Sequence, residues 1–149
     1  MAFTAPIGGA LSGTAPLRFL PALALMAVIF YLSAQPAGGH HAWWVIVLRK
    51  LGHVTGYALL TGAWWWALRG VVERPLVWAV GLSLAYASTD ELHQTFVPGR
   101  EGTPRDVAID AIGMALAALL IRARRSSPAD RGKTGAGGSL ARSSPARSP

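Results

Sequence analysis

Residues 88–110 read STDELHQTFVPGREGTPRDVAID, a stretch with five acids, two arginines and a histidine set between two apolar runs. Its reading decides the fold. At its centre, VPGR (97–100) carries a Pro-Gly pair suited to a tight turn, and Thr103, Pro104 and Asp106 supply the cap, first and third positions of a new helix. The stretch is therefore the end of one helix, a turn and the start of the next, with the charged residues brought close together.

Outward from it, apolar runs extend from Leu17 to Ala34, Leu51 to Leu68, Leu76 to Val97 and Pro104 to Ile121. The first is interrupted only by Arg18. Each is near or above the length of about 17 residues that a membrane-crossing helix needs. QPAGGHH, RGVVERP and VPGREGT separate them as turns. The whole chain is 52% hydrophobic and only 14% charged, against about 25% charged in a soluble domain. A cleavable signal is disfavoured for the first run, because no basic residue precedes Arg18 and Leu32 stands where a cut after Ala34 requires a small side chain. The expected fold is all-α: a polytopic four-transmembrane-helix bundle with both termini cytoplasmic.

Charge fixes the orientation. Residues 122–149 hold seven basic residues against Asp130, so most of the net charge of +7 lies in one tail, which is not a nucleic-acid-binding surface. Its Ser/Pro/Gly/Arg composition predicts disorder, and together with Arg69 and Arg74 it favours the cytoplasm. Arg49, Lys50, Arg100 and Arg105 then lie outside. Trp43 and Trp44 precede the second span, and Trp64, Trp65, Trp66 and Trp78 lie at the other end, as interfacial anchors do. The expected organisation is a disordered segment 1–16, a membrane domain 17–121 and a basic cytoplasmic tail 122–149.

Polar residues fall on stripes. Lys50, His53 and Tyr57 share one face of the second helix; Tyr86, Asp90 and Gln94 step by four along the third, with Glu91 and His93 flanking; Asp106, Asp110 and Gly113 mark the fourth. Tyr57, Asp90 and Asp110 each lie about 10 Å inside the outer end of their helix. Lone acids in a bilayer cost about 2.5–3.5 kcal/mol and normally face a bundle interior, paired. The stripes are therefore expected to meet in an outward-opening pocket, with Arg100 folded over Asp90 and Glu91. Its expected ligand-binding residues are Lys50, His53, Tyr57, Asp90, Glu91, Gln94, Arg100, Asp106 and Asp110. Structural alternatives stand beside this: Asp106 closing a capping box, Gly113 allowing close helix packing, and Asp90, Glu91 and Arg100 forming a stabilising ion cluster. His40 and His41 receive no role.

No cysteine is present, no metal-ligand spacing occurs along a single helix, and phosphate-loop and nucleophile-elbow patterns are missing. No metal or other cofactor is expected. The pattern itself is compatible with membrane lipid as a partner, with oligomerisation left open.

FYLSAQP (30–36), KLGHVTGYALL (50–60) and AYASTDELHQTFVPGREGTPRDVAIDAIG (85–113) resemble the VanZ-like family of small bacterial membrane proteins, named for an accessory protein linked to low-level teicoplanin resistance. The resemblance implies a place in the bacterial cytoplasmic (inner) membrane, a role in the cell envelope with an envelope lipid head group or a cell-wall precursor as partner, and an effect on sensitivity to glycopeptide or other surface-acting antibiotics. It maps the family's polar residues onto Lys50, His53, Asp90, Glu91, Gln94, Arg100 and Asp106. Arg49 stands where the family often has an acid, and Asp110 where it usually has Asn. Three functions remain in competition: a binding or remodelling module; an intramembrane enzyme using His53 or Glu91 as base; and a proton-coupled transporter, which the nearly nonpolar inner halves of the helices disfavour.

Overall fold

The fold was described from a computed structural model of the chain, for residues 16–36 and 42–126. A short 3-10 turn, Pro16–Phe19, leads into α1 (Leu20–Ser33), followed by α2 (Trp43–Leu68), α3 (Pro75–Gln94) and α4 (Pro104–Ser126), with no strand among the described residues. Of the segments expected to be disordered, 1–16 and 122–149, residues 1–15 and 127–149 lie outside the described residues, as do the loop histidines His40 and His41. One stretch among them, Pro16–Ser33, is long and apolar enough by composition to cross a membrane, with a mean hydropathy of 1.7.

Prolines set the starts. Pro75 and Pro104 occupy first helical positions, where the missing N–H has no intrahelical partner to lose. Two helices run further than the apolar runs suggest. α2 begins at Trp43, eight residues before Leu51, because Arg49 and Lys50 interrupt hydropathy without interrupting helix. α4 continues to Ser126, so Arg122, Arg124 and Arg125, assigned to the basic tail, are helical and lie at the favourable negative end of the helix dipole. α3 instead stops at Gln94, and Thr95 to Val97 finish in tight turns bonded back to Leu92, His93 and Gln94.

The helices alternate in direction, with α2 as the hub. It packs on α1, α3 and α4, whereas α1 and α4 do not touch. Between α2 and α4 the backbones are in contact: a Cβ at Gly113 would run into the Val54 carbonyl oxygen. Ala22, Tyr57, Leu60, Ala87 and Met114 form the core, flanked by Leu25, Met26 and Ile29 from α1. The Tyr86 hydroxyl adds a bond to the Met26 carbonyl at 2.6 Å.

At one end, tryptophans meet arginines. The guanidiniums of Arg69 and Arg125 lie 4.5 and 5.5 Å from the Trp65 ring. Arg18 bonds the exposed carbonyls of Trp66 and Arg69 at the end of α2, at 3.2 and 2.6 Å. The other end is hollow.

Candidate functional site

The hollow is a cleft of about 460 Å³ whose wall includes Lys50 and His53 from α2, Glu91 and Gln94 from α3, Arg100 from the connection, and Asp106 and Asp110 from α4. The turn that delivers Arg100 forms as its sequence suggests: Gly99 has φ +74°, and the Arg100 N–H bonds the Val97 carbonyl at 3.1 Å.

Two contacts pair opposite charges. Lys50 Nζ lies 2.8 Å from Asp106 Oδ1. His53 Nδ1 lies 3.2 Å from Asp110 Oδ1, but the ring N–H is not aimed at the oxygen, so the contact is electrostatic rather than a directed hydrogen bond.

Arg100 does not fold over Asp90 and Glu91. Its Nε and Nη2 donate to the carbonyls of Gln35 and Leu32, at 3.0 and 2.8 Å, and its Nη1 donates to Gln94 Oε1 at 3.3 Å. The end of a helix leaves carbonyls unsatisfied and carries partial negative charge, and the guanidinium fork supplies both donors and charge there. Burial, with the nearby charge of Arg49, pulls its pKa below the ordinary arginine value, while Asp90 and Glu91 act the other way.

Asp90 and Glu91 are held by neutral donors instead. Ser33 Oγ lies 2.5 Å from Asp90 Oδ1, and Gln94 Nε2 donates to Asp90 Oδ2 at 3.1 Å and to Glu91 Oε1 at 3.2 Å. The Thr103 N–H donates to Glu91 Oε2 at 3.2 Å. The expected capping box is thus rearranged. Asp106 accepts from the Thr103 hydroxyl at 2.8 Å, but the backbone donor that a box would give to Asp106 goes to Glu91 of the preceding helix.

Tyr57 sits apart from the charged wall. It is fully buried in the hydrophobic core, its ring stacked near His53, and its hydroxyl has no hydrogen-bond partner among the described residues. His93 packs on Phe30 with centroids 4.6 Å apart, outside the cleft wall. Ser33, with the carbonyls of Leu32 and Gln35, is the contribution that the sequence reading missed, because a single hydroxyl in an apolar run makes no stripe. Arg49 and Glu101 also line the cleft.

A second, mainly apolar cavity of about 230 Å³ lies beside the first, between Ile29 and Leu32 of α1 and Leu48, Gly52 and Tyr57 of α2. The two share Arg49, His53 and Arg100 as lining residues.

These features define a class: a small helical bundle with an ion-lined cleft at one end and aromatic-arginine contacts at the other. The family model described as VanZ/LLP1 matches residues 18–125, and the chain belongs to that family. No curated protein and no solved structure matches it.

Proposed function

We propose that all four helices cross the bacterial cytoplasmic membrane with both termini inside, and that the cleft opens outward to hold the head group of an envelope lipid or lipid-linked cell-wall precursor. The helical stretches, of 18, 26, 20 and 23 residues, reach the length of about 17 that a crossing needs. Burial is inverted relative to a soluble protein: Asp90, Glu91, Gln94 and Asp110 are inside, while Leu23, Phe30, Tyr31, Leu59, Val77 and Leu119 are exposed. Arg18, Arg69, Arg74, Arg122, Arg124 and Arg125 lie toward the tryptophan end, which suits the cytoplasmic face.

The observation that carries the ligand class is the junction of the two cavities. A polar cleft with Arg49, Lys50 and Arg100 on its wall suits an anionic group. The adjoining apolar groove suits a hydrocarbon chain entering between α1 and α2. An amphiphile satisfies both; a water-soluble ligand leaves the groove without a purpose. Family membership is consistent with a role in glycopeptide sensitivity, which makes teicoplanin the first compound to test.

Gly52→Leu is the cleanest probe. A Cβ there meets no atom within 4 Å, so the new side chain enters the groove without disturbing the helices. Wild-type protein purified in mild detergent is expected to carry an anionic lipid in native mass spectra, and Gly52→Leu to accumulate normally without it and without altering teicoplanin sensitivity. Retention of the same lipid and the same sensitivity by that variant would overturn the reading. A second reading, an intramembrane enzyme, is favoured by the placement of His53 and Glu91 together on the cleft wall. The same spectra separate the two: a lipid product not present in the supplied membranes, and missing with Glu91→Gln, identifies catalysis.

A further inference from the structure

Binding a head group does not require the cluster that His53 and Glu91, on the cleft wall, make with the buried Asp90, which is not part of that wall. His53 on α2 and Asp90 and Glu91 on α3 each offer one donor atom, and the three atoms lie within 4.8 Å of one another. Two opposed bonds of about 2.1 Å span about 4.2 Å, so a small closing movement would bring all three onto one ion. The sequence expectation of no metal looked for spacing along single helices, and this set is split between two.

Each of the three side chains is steadied from behind. Asp90 is held by Ser33 and Gln94, and Glu91 by Gln94 and the Thr103 N–H. His53 turns Nδ1 toward Asp110 Oδ1, 3.2 Å away. Hydrogen-bonding partners orient metal ligands in this way, and a small turn of the imidazole would aim its Nδ1–H at Asp110 and fix the tautomer.

Charge is the independent observation. Asp90, Glu91 and Asp110 are 2%, 5% and 0% exposed, and among the described residues His53 alone forms a charge pair with any of them. Lys50 is paired with Asp106, and Arg100 is bonded to backbone carbonyls and Gln94. Neutral donors satisfy lone pairs but leave net negative charge where desolvation makes it costly. Both oxygens of Asp110 are buried without a directed hydrogen bond, as is His53 Nδ1.

We infer that His53, Asp90 and Glu91 form a divalent-cation site, with Asp110 orienting the imidazole through Nδ1 so that Nε2 meets the metal. One imidazole nitrogen with two carboxylates suits Zn²⁺ or Mn²⁺ better than Mg²⁺ or Ca²⁺, which prefer oxygen alone, or Cu⁺, which prefers sulfur. His53 and Glu91 line the cleft, so an anionic oxygen entering from there could complete the shell.

The full chain, purified in detergent and stripped with EDTA, is titrated with Zn²⁺ and with Mn²⁺ in the absence of added lipid. Metal content is read by elemental mass spectrometry and stability by thermal unfolding, so the result is separate from the fate of the lipid reading. One equivalent is expected to bind and to raise the wild-type Tm. His53→Ala and Glu91→Gln are expected to lose at least about tenfold in affinity and most of the Tm gain, and Asp110→Asn about 10–100-fold in affinity. Thr61→Val, away from the cleft, should bind as wild type does. Folded wild type that takes up neither ion, or a folded His53→Ala/Glu91→Gln double variant that binds as tightly as wild type, overturns the inference.

Discussion

Helix α2 meets its two flanking neighbours in opposite ways. Against α4 it is closed, since Gly113 sits directly on the backbone of Val54. Against α1 it is partly open: Gly52 faces free space and the apolar cavity lies between them. Near that opening, α1 is fastened mainly by polar bonds, from Ser33 to Asp90 and from Arg100 to the carbonyls of Leu32 and Gln35. The contrast assigns separate duties. The α2–α4 pair fixes His53 against Asp110, and the α1–α2 seam leaves space from which the cleft can be reached from the side.

The largest effect is expected from substituting the two glycines in turn. Gly113→Ala places a methyl where a carbonyl oxygen already is, so the helices must separate; overpacking of this kind costs about 1–3 kcal/mol, and Gly113→Val more. Gly52→Ala meets nothing and removes backbone freedom from the unfolded chain, for a gain of about 0.5–1 kcal/mol. Denaturation in detergent micelles, followed by circular dichroism, measures both. Equal and small changes would mean that the two seams do not differ.

Next in size is Arg100→Ala, which removes three charge-assisted hydrogen bonds at once. Bonds of this type contribute about 1.5–3 kcal/mol each when buried, but two of these three are exposed, which reduces the expected total to about 1–2 kcal/mol. Hydrogen exchange should quicken in α1 near Leu32 and Ser33 while the α2–α4 contact stays protected. Arg100→Lys is expected to fail as a rescue, because one ammonium cannot span two backbone carbonyls and the Gln94 side chain as the guanidinium fork does. Uniform quickening through all four helices would instead make Arg100 a general stabiliser rather than a clasp on one seam.

How far the sequence reaches follows the same division. Four helices were legible because apolar runs bounded by prolines and glycines have a direct signature, and the gathering of Lys50, His53, Asp90, Gln94, Asp106 and Asp110 at one end follows from helical spacing. The position of α1 was harder to read. Arg100 reaches backbone carbonyls, which any residue supplies, and Ser33 is one hydroxyl with no periodic companion. Opposite charges suggested that Arg100 would cover Asp90 and Glu91, but a helix end with unsatisfied carbonyls competes for the same fork, and no residue type announces it. The early start of α2 was hidden because hydropathy marks burial in lipid, whereas the helix continues through Arg49 and Lys50.

The third seam, between α2 and α3, gives the smallest expected effect and sharpens the contrast. Thr61 bonds back to the Tyr57 carbonyl at 2.8 Å, and its hydroxyl lies 3.1 Å from that of Ser83; both side chains are fully buried. Interhelical bonds of this kind in a membrane average about 0.6 kcal/mol, because the separated helices find other partners. Thr61→Val and Ser83→Ala, taken singly and together, should therefore show a coupling near that value and leave lipid and metal binding unchanged. A coupling several times larger would make the α2–α3 seam a fastening comparable to the Arg100 clasp. In that case α3 would be fixed to α2 as firmly as α4 is, and α1 alone would be left to move.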